Sequence, residues 1–343
     1  MTLNLKRGIS GAGALLIIAT MFITIFTVSR VTAQETSGSG LRISPTRSEL
    51  SLVPGDSNTI IQTVKNVTQN PVTVQPVLND FESDGVTGEP KLIGDTTKVS
   101  AYSLREFLTL PADFDLAPSE EKEVVVSVNV PENSSPGAYF GSVLYRASPQ
   151  GSGGDGQVAL VASVGSLILL EVPGDITEKI QINDISAFLN KGSGSLFTKK
   201  PDQIGVEIQN LGNSFSQPFG KVSVKDWRGQ EIFLYEINDT EPRGNILPDS
   251  TRLFLNDLFN VEVKTVNGNE ETTQTSPIKW PGKYTISGNI SHGSTGEIYT
   301  VNSSFWYIPI WLIVVLAVLL AGIIGLSVFL YRKYVTKSTK RNK

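Results

Sequence analysis

Residues 123–130 read Glu123-Val124-Val125-Val126-Ser127-Val128-Asn129-Val130 and stop at Pro131. Val124, Val126, Val128 and Val130 fall on one side of an extended chain, the period of a strand with one buried face. Pro131 has no N–H with which to continue a ladder. Lys221-Val222-Ser223-Val224-Lys225 and Tyr284-Thr285-Ile286-Ser287 repeat the alternation. Between the apolar segments at the two chain ends no run shows convincing helical periodicity, although Ala101 to Leu110 suits a short helical turn. Short alternating runs separated by Gly, Pro, Asn and Asp are the pattern of β-sandwiches.

A weak internal repeat divides these strands into two sets. Leu116-Ala117-Pro118-Ser119, a strand, then Pro136-Gly137-Ala138-Tyr139 is echoed by Leu247-Pro248-Asp249-Ser250, a strand, then Pro281-Gly282-Lys283-Tyr284. Each set opens with a strand ending at an Asn, Asn66 and Asn210, where the tolerance of Asn for left-handed angles predicts a turn. The Pro-Gly-x-Tyr element suits the turn before a late strand of an immunoglobulin-like domain, with Tyr139 and Tyr284 placed for a corner hydrogen bond. The expected architecture is all-β: two immunoglobulin-like β-sandwich domains in tandem, residues 41–173 and 176–304, then one C-terminal transmembrane helix. The Gly-rich stretch Pro149 to Gln157 is assigned to the first domain, because that sandwich needs the apolar strand Val158 to Val172 to close.

Residues 308–330 carry no charge and exceed the roughly 20 that a helix needs to cross a hydrocarbon core. The tail, 331–343, has Arg332, Lys333, Lys337, Lys340, Arg341 and Lys343 and no acid, the bias that holds a flank in the cytoplasm. At 13 residues it reads as a topology lock too short to fold. Trp306, Tyr307 and Trp311 are expected at the outer headgroups and Tyr331 and Tyr334 at the inner ones. Lys6 and Arg7 precede an apolar stretch from about Ile9 to Val28 and then Val31-Thr32-Ala33, so residues 1–33 read as a signal peptide cut after Ala33. Uncleaved, the same stretch is long enough to serve as a signal anchor. In both cases the middle of the chain is exported, as a single-pass cell-membrane protein with its C-terminus inside.

The exported segment carries 20 Lys and Arg against 33 Asp and Glu. That balance excludes nucleic acid as a partner, since phosphates call for clustered cations, and it argues against attraction to anionic lipid. With no Cys there is neither a disulfide framework nor a thiol nucleophile. The single His, His292, lies in a turn and reads as exposed and structural, without a base-and-nucleophile set; one His builds no usual zinc site. Asn79-Asp80-Phe81-Glu82-Ser83-Asp84-Gly85 opens like a calcium loop, but the twelfth position from Asp80 is Lys91 where an EF-hand needs a bidentate Glu. A different loop geometry still suits calcium there, while the acidic pairs Asp80 and Glu82, and Glu120 and Glu121, read as solvated loop charge. Tyr139, Phe140, Tyr145, Trp227 and Trp280 serve core packing or recognition equally well. No catalytic, cofactor-binding or metal-binding residue is assigned, no ligand-binding residue is identified, and no cofactor is expected.

Leu52-Val53-Pro54-Gly55-Asp56, Val64-Lys65-Asn66, Asn79-Asp80-Phe81, the Pro118 to Val130 strand and Pro136-Gly137-Ala138-Tyr139-Phe140-Gly141 resemble the amino-terminal domain of the WxL-interacting protein family of monoderm bacteria. Ile208-Gln209-Asn210-Leu211-Gly212-Asn213, Gly220-Lys221-Val222-Ser223-Val224, Ile246-Leu247-Pro248-Asp249-Ser250 and Pro281-Gly282-Lys283-Tyr284 resemble its membrane-proximal domain. The resemblance implies a signal peptide, two immunoglobulin-like domains, one helix and a basic tail. It also implies peptidoglycan binding by the first domain and a secreted WxL protein as partner of the second. The expected function is that of a non-enzymatic surface protein holding peptidoglycan or a secreted protein near the membrane. The alternative is an adaptor or chaperone-like subunit of a membrane assembly that captures a partner strand at an unpaired edge.

Overall fold

The computed structural model describes residues 40–93, 99–149, 162–266, 269–293 and 296–341. The signal-peptide reading of residues 1–33 and most of the Gly-rich stretch lie outside the described residues. The described chain is mainly β: two immunoglobulin-like sandwiches and one long C-terminal apolar helix.

The first sandwich uses β1 (Leu41–Ser44), β2 (Arg47–Ser51), β3 (Ser57–Asn66), β4 (Val72–Asn79), β5 (Phe81–Ser83), β6 (Pro90–Leu92), β7 (Leu108–Thr109), β8 (Phe114–Leu116), β9 (Glu121–Asn129), β10 (Gly137–Pro149) and β11 (Ala162–Val172). One sheet runs β1-β3-β9-β7 and the facing sheet β2-β11-β10-β4-β8, with β5 and β6 a separate hairpin. Val124, Val126 and Val128 of β9 point inward against Val64, Val74, Val143, Tyr145, Ile168 and Leu170, all buried in one core. Residues 104–108 close one helical turn through the Leu108 N–H and Leu104 C=O, 3.1 Å apart.

The second sandwich follows with β12 (Ile180–Leu189), β13 (Gly192–Gly194), β14 (Leu196–Phe197), β15 (Gln203–Asn210), β16 (Phe219–Lys225), β17 (Glu231–Ile237), β18 (Thr251–Asp257), β19 (Asn260–Val266), β20 (Asn269–Thr275), β21 (Gly282–Ser291) and β22 (Ile298–Tyr307). Its sheets run β13-β12-β15-β18 and β14-β22-β21-β16-β17, and β19 and β20 form a two-stranded ribbon. Tyr307 is buried in this core with Phe305, Tyr284 and Phe197, so it packs protein rather than headgroups. Only Ile308 and Pro309 separate β22 from α1 (Ile310–Arg341). Within α1, Ile310–Arg332 is long and apolar enough to cross a membrane, and its apolar stretch is not buried against the described residues. α1 continues into the basic tail as far as Arg341.

The internal repeat has a physical basis, different from the one expected for its Asn residues. Asn66 and Asn210 are fully buried and neither has positive φ. Their amides act as clamps. Asn210 Nδ2 donates to the carbonyls of Ser214 (2.7 Å) and Ile246 (3.0 Å), and Oδ1 accepts from the Gly212 N–H (2.9 Å). Asn66 Nδ2 donates to Asn70 O (2.8 Å) and Ala117 O (3.0 Å), and Oδ1 accepts from the Thr68 N–H (2.9 Å). Each clamp thus reaches the approach to a Pro turn. In those turns Ser119 and Asp249 take φ of 63° and 56°, the left-handed third position of a type II turn after Pro118 and Pro248. The Pro-Gly elements match too, Gly137 and Gly282 having φ of 142° and 152°, where a side chain would be strained. Both expected corner bonds form: the Tyr139 hydroxyl donates to Ser135 O (3.0 Å) and that of Tyr284 to Trp280 O (2.5 Å).

The sandwiches meet at a packed seam. Phe81, Phe140 and Leu169 of the first are buried with Phe215 and Leu247 of the second, Phe140 and Phe215 having ring centroids 6.2 Å apart. Around it the Ala138 N–H donates to Asn213 O (2.9 Å), Leu253 N–H to Val86 O (2.6 Å), and the Tyr102 hydroxyl to Asp249 (2.6 Å). Burial and that carboxylate together push the Tyr102 phenol up to about 12.

Candidate functional site: an open strand edge above an interdomain cleft

β11 is the last full strand of its sheet, and its outer neighbour covers only half of it. The chain leaves β1, turns at Ser44-Pro45-Thr46, and lays β2 parallel to Leu167–Glu171. The Ser166 hydroxyl donates to Pro45 O (2.8 Å), fixing where β2 begins. Residues 162–166 pair with β10 through Ala147 to Val143 but, among the described residues, with nothing on the other side.

The direction of the free groups follows from the ladder. The Leu167 N–H points outward, donating to Thr46 O (2.9 Å), and the Glu171 carbonyl faces the same way, accepting from the Leu52 N–H (3.1 Å). Backbone groups alternate sides along a strand, so Ser163 and Gly165 present N–H and C=O to the open edge. Val164 leans against the core and Ser166 is buried. Such an edge is a template for another strand: main-chain bonds supply affinity and alternate side-chain positions supply specificity.

Beside the half of β11 that β2 covers lies a cleft of about 480 Å³ between the sandwiches. Glu49 and Glu171 of the first domain face Lys179, Arg243 and Asn245 of the second across it. Much of this polarity is internally matched. Asn245 Nδ2 donates to Glu49 (3.1 Å), Ser214 Oγ to Glu171, and Arg47 bonds Glu49 and the Arg243 carbonyl (3.3 Å).

His292, expected on an exposed turn, is buried in the cleft wall just after β21, against the ring of Tyr299 with centroids 5.7 Å apart. Its Nε2 and the hydroxyl of Ser216 are buried without a partner among the described residues. Burial lowers the imidazole pKa, and the charges of Glu178 and Glu297 oppose that shift. The sign follows: the unfolded chain takes up a proton near pH 6.5 while the folded chain resists, so folding is weakened as pH falls below that value. Denaturation of the protein at pH 7 and pH 5 should show the loss, and His292→Gln should flatten it; an unchanged slope would show that other groups carry it.

The remaining sequence candidates have structural duties. Asp80 is buried and accepts from Ser103 Oγ (2.7 Å) and Arg105 Nε (3.2 Å). Glu82 pairs with Lys91 (3.1 Å), at the position that breaks the calcium pattern. Asp84 accepts from Val86 N–H, Gly88 N–H and Thr87, which hold its carboxyl well below the usual range. No cluster of metal-ligating side chains occurs among the described residues. Glu120 caps the Ala117 N–H (2.6 Å) and Glu121 pairs with Lys65 (3.3 Å). Tyr145 is core, Phe140 belongs to the seam, and Trp227 and Trp280 point outward. The open edge and the seam had no sequence signal, because both depend on which strands become neighbours.

No family model matches the chain, and no curated protein matches it in sequence. Among solved structures it is similar to the class 5 fimbriae chaperone CfaA, with 15% identity over 79% of this chain and 100% of that one, at a TM-score of 0.35. It is also similar to a chain of the chaperone–tip adhesin complex of CFA/I fimbriae biogenesis, with 14% identity over 79% and 99% at a TM-score of 0.35. A third is the CupB2 chaperone of Pseudomonas aeruginosa, with 10% identity over 77% and 100% at 0.34. These are low-scoring likenesses of two-sandwich architecture.

Proposed function

We propose that this protein is a non-enzymatic, single-pass surface protein that holds an exported protein by pairing with one of its strands along residues 162–166 of β11. The observation that carries this reading is the half-covered edge strand, whose Ser163 and Gly165 main-chain groups have no ladder partner on the outer side among the described residues. The apolar helix keeps the captured protein near the bilayer, and the basic residues after it keep the C-terminus in the cytoplasm. Solved chaperones of similar architecture are described in complex with fimbrial subunits, which agrees with a protein ligand. The resemblance to WxL-interacting proteins points to a secreted partner as well, and adds peptidoglycan as a second ligand of the first domain.

A photo-crosslinking residue at position 163 of the full chain should trap a polypeptide in the producing cell, whereas one at Ile61, exposed on the opposite sheet, should not. Ser163→Pro deletes one outward N–H and leaves the β10 ladder whole, so it should abolish capture without lowering the melting temperature. Co-sedimentation with purified peptidoglycan in the absence of any crosslink at 163 would overturn the protein-capture reading in favour of the wall polymer.

A further inference from the structure

All four tryptophans of the chain lie at one end of the second sandwich. β21 starts and β22 finishes there, with Gly282 paired to Tyr307 and Lys283 to Trp306. The turn after β16 reaches the same end, since Lys225 pairs with Thr285. Trp227 sits on that turn, Trp280 just before β21, Trp306 near the end of β22 and Trp311 in the first turn of α1. They are 63%, 66%, 47% and 60% exposed. Large apolar rings left in water on one surface mark an interface.

Rigid supports turn two of these rings outward. Asp226, beside Trp227, is folded inward, accepting from Arg228 Nη2 (2.7 Å) and the Gln230 N–H (3.1 Å). The Arg228 guanidinium lies 5.6 Å from the centre of the Trp227 ring. Trp280 is held by its own carbonyl, the acceptor of the Tyr284 corner bond. The tyrosine corner therefore also presents an indole.

We infer that this end of the second sandwich is a lipid-headgroup-binding face, on which Trp227 and Trp280 join Trp306 and Trp311 in an indole collar around the point where the helix enters the bilayer. The inference rests on the reading that α1 spans a membrane. Three features select lipid as the occupant. Only two residues link β22 to α1, so the bilayer lies next to this surface. Indole favours the interface, where its ring is apolar and its N–H stays wet. Exposed Lys279 and Lys283 flank the rings, while Asp226 is spent on Arg228 and Glu231 lies opposite Lys225 in the β16–β17 ladder, so this end is locally basic despite the acidic exported segment.

Because no other tryptophan exists, emission reports on this face alone. The full chain should be reconstituted in phosphatidylcholine vesicles with and without phosphatidylglycerol, using lipids brominated near the carbonyl as quencher and aqueous acrylamide as its opposite. A variant carrying W306F and W311F leaves Trp227 and Trp280; one carrying W227F and W280F leaves the helix pair. If the collar binds lipid, brominated lipid should remove roughly half of the Trp227 and Trp280 emission and acrylamide should reach them poorly, as expected for rings at headgroup depth. Quenching of the helix pair alone, with Trp227 and Trp280 fully open to acrylamide, would overturn the collar and leave the anchor standing. If neither pair is quenched by lipid, both the collar and the membrane reading fall.

Discussion

Asn210→Ala should cost the second sandwich about 3 kcal/mol, because three buried groups lose their partners at once and each orphaned group costs about 1–3 kcal/mol. The amide bonds the Ser214 and Ile246 carbonyls and the Gly212 N–H, all within a side chain 1% exposed. Asn210→Asp separates hydrogen bonding from packing. A carboxylate still accepts from Gly212 but meets two carbonyl oxygens to which it cannot donate, so Asp should be worse than Ala despite its nearly native shape. Urea denaturation followed by tryptophan emission reads this domain, since every indole lies in it or just beyond it. A loss below 1 kcal/mol for Ala, or Asp better tolerated than Ala, would show that packing alone holds the strand end. Asn66→Ala should destabilise the first sandwich similarly through Asn70, Ala117 and Thr68.

Those two Asn residues mark how far the sequence could be read. The repeat they open was visible, as were the strand alternation, the Pro-Gly turns and the tyrosine corners, because each is a local rule written within a few residues. Their mechanism was not visible. A side chain that reaches the carbonyl of Ile246 from position 210 works over 36 residues, and no spacing rule anticipates it. The same limit hid the seam. Phe140 and Leu169 lie on strands whose other faces fill the first core, so both faces are apolar, and the alternation that identifies a buried side disappears. His292 was misplaced for the same reason: Ser291-His292-Gly293 has turn composition, but the turn lies against Tyr299 inside the cleft. The tryptophans were ambiguous because composition does not distinguish a ring that fills a core from one held out of it.

Phe305→Ala should be the most damaging single change, at about 4 kcal/mol, since removing a buried Phe costs about 3–5 kcal/mol in lost transfer energy and residual cavity. The ring is 1% exposed. It stacks on Tyr284 with centroids 5.3 Å apart and planes at 13°, and meets Phe197 edge-on at 5.8 Å and 86°. These contacts tie three strands together at the end that continues into α1. Phe197 belongs to β14, which pairs with Trp306 and Tyr307 and whose carbonyl at Phe197 accepts the Ile308 N–H (2.8 Å). An emptied site should therefore loosen β14 and the last turns of β22 before the rest of the domain, and protection from hydrogen exchange at Trp306 and Ile308 should fall more than that at Val206. Phe305→Leu, which keeps most of the volume, should lose less than half as much. Uniform loss of protection across both sheets would mean that the aromatic stack serves general core packing and does not specifically brace the junction between sandwich and helix.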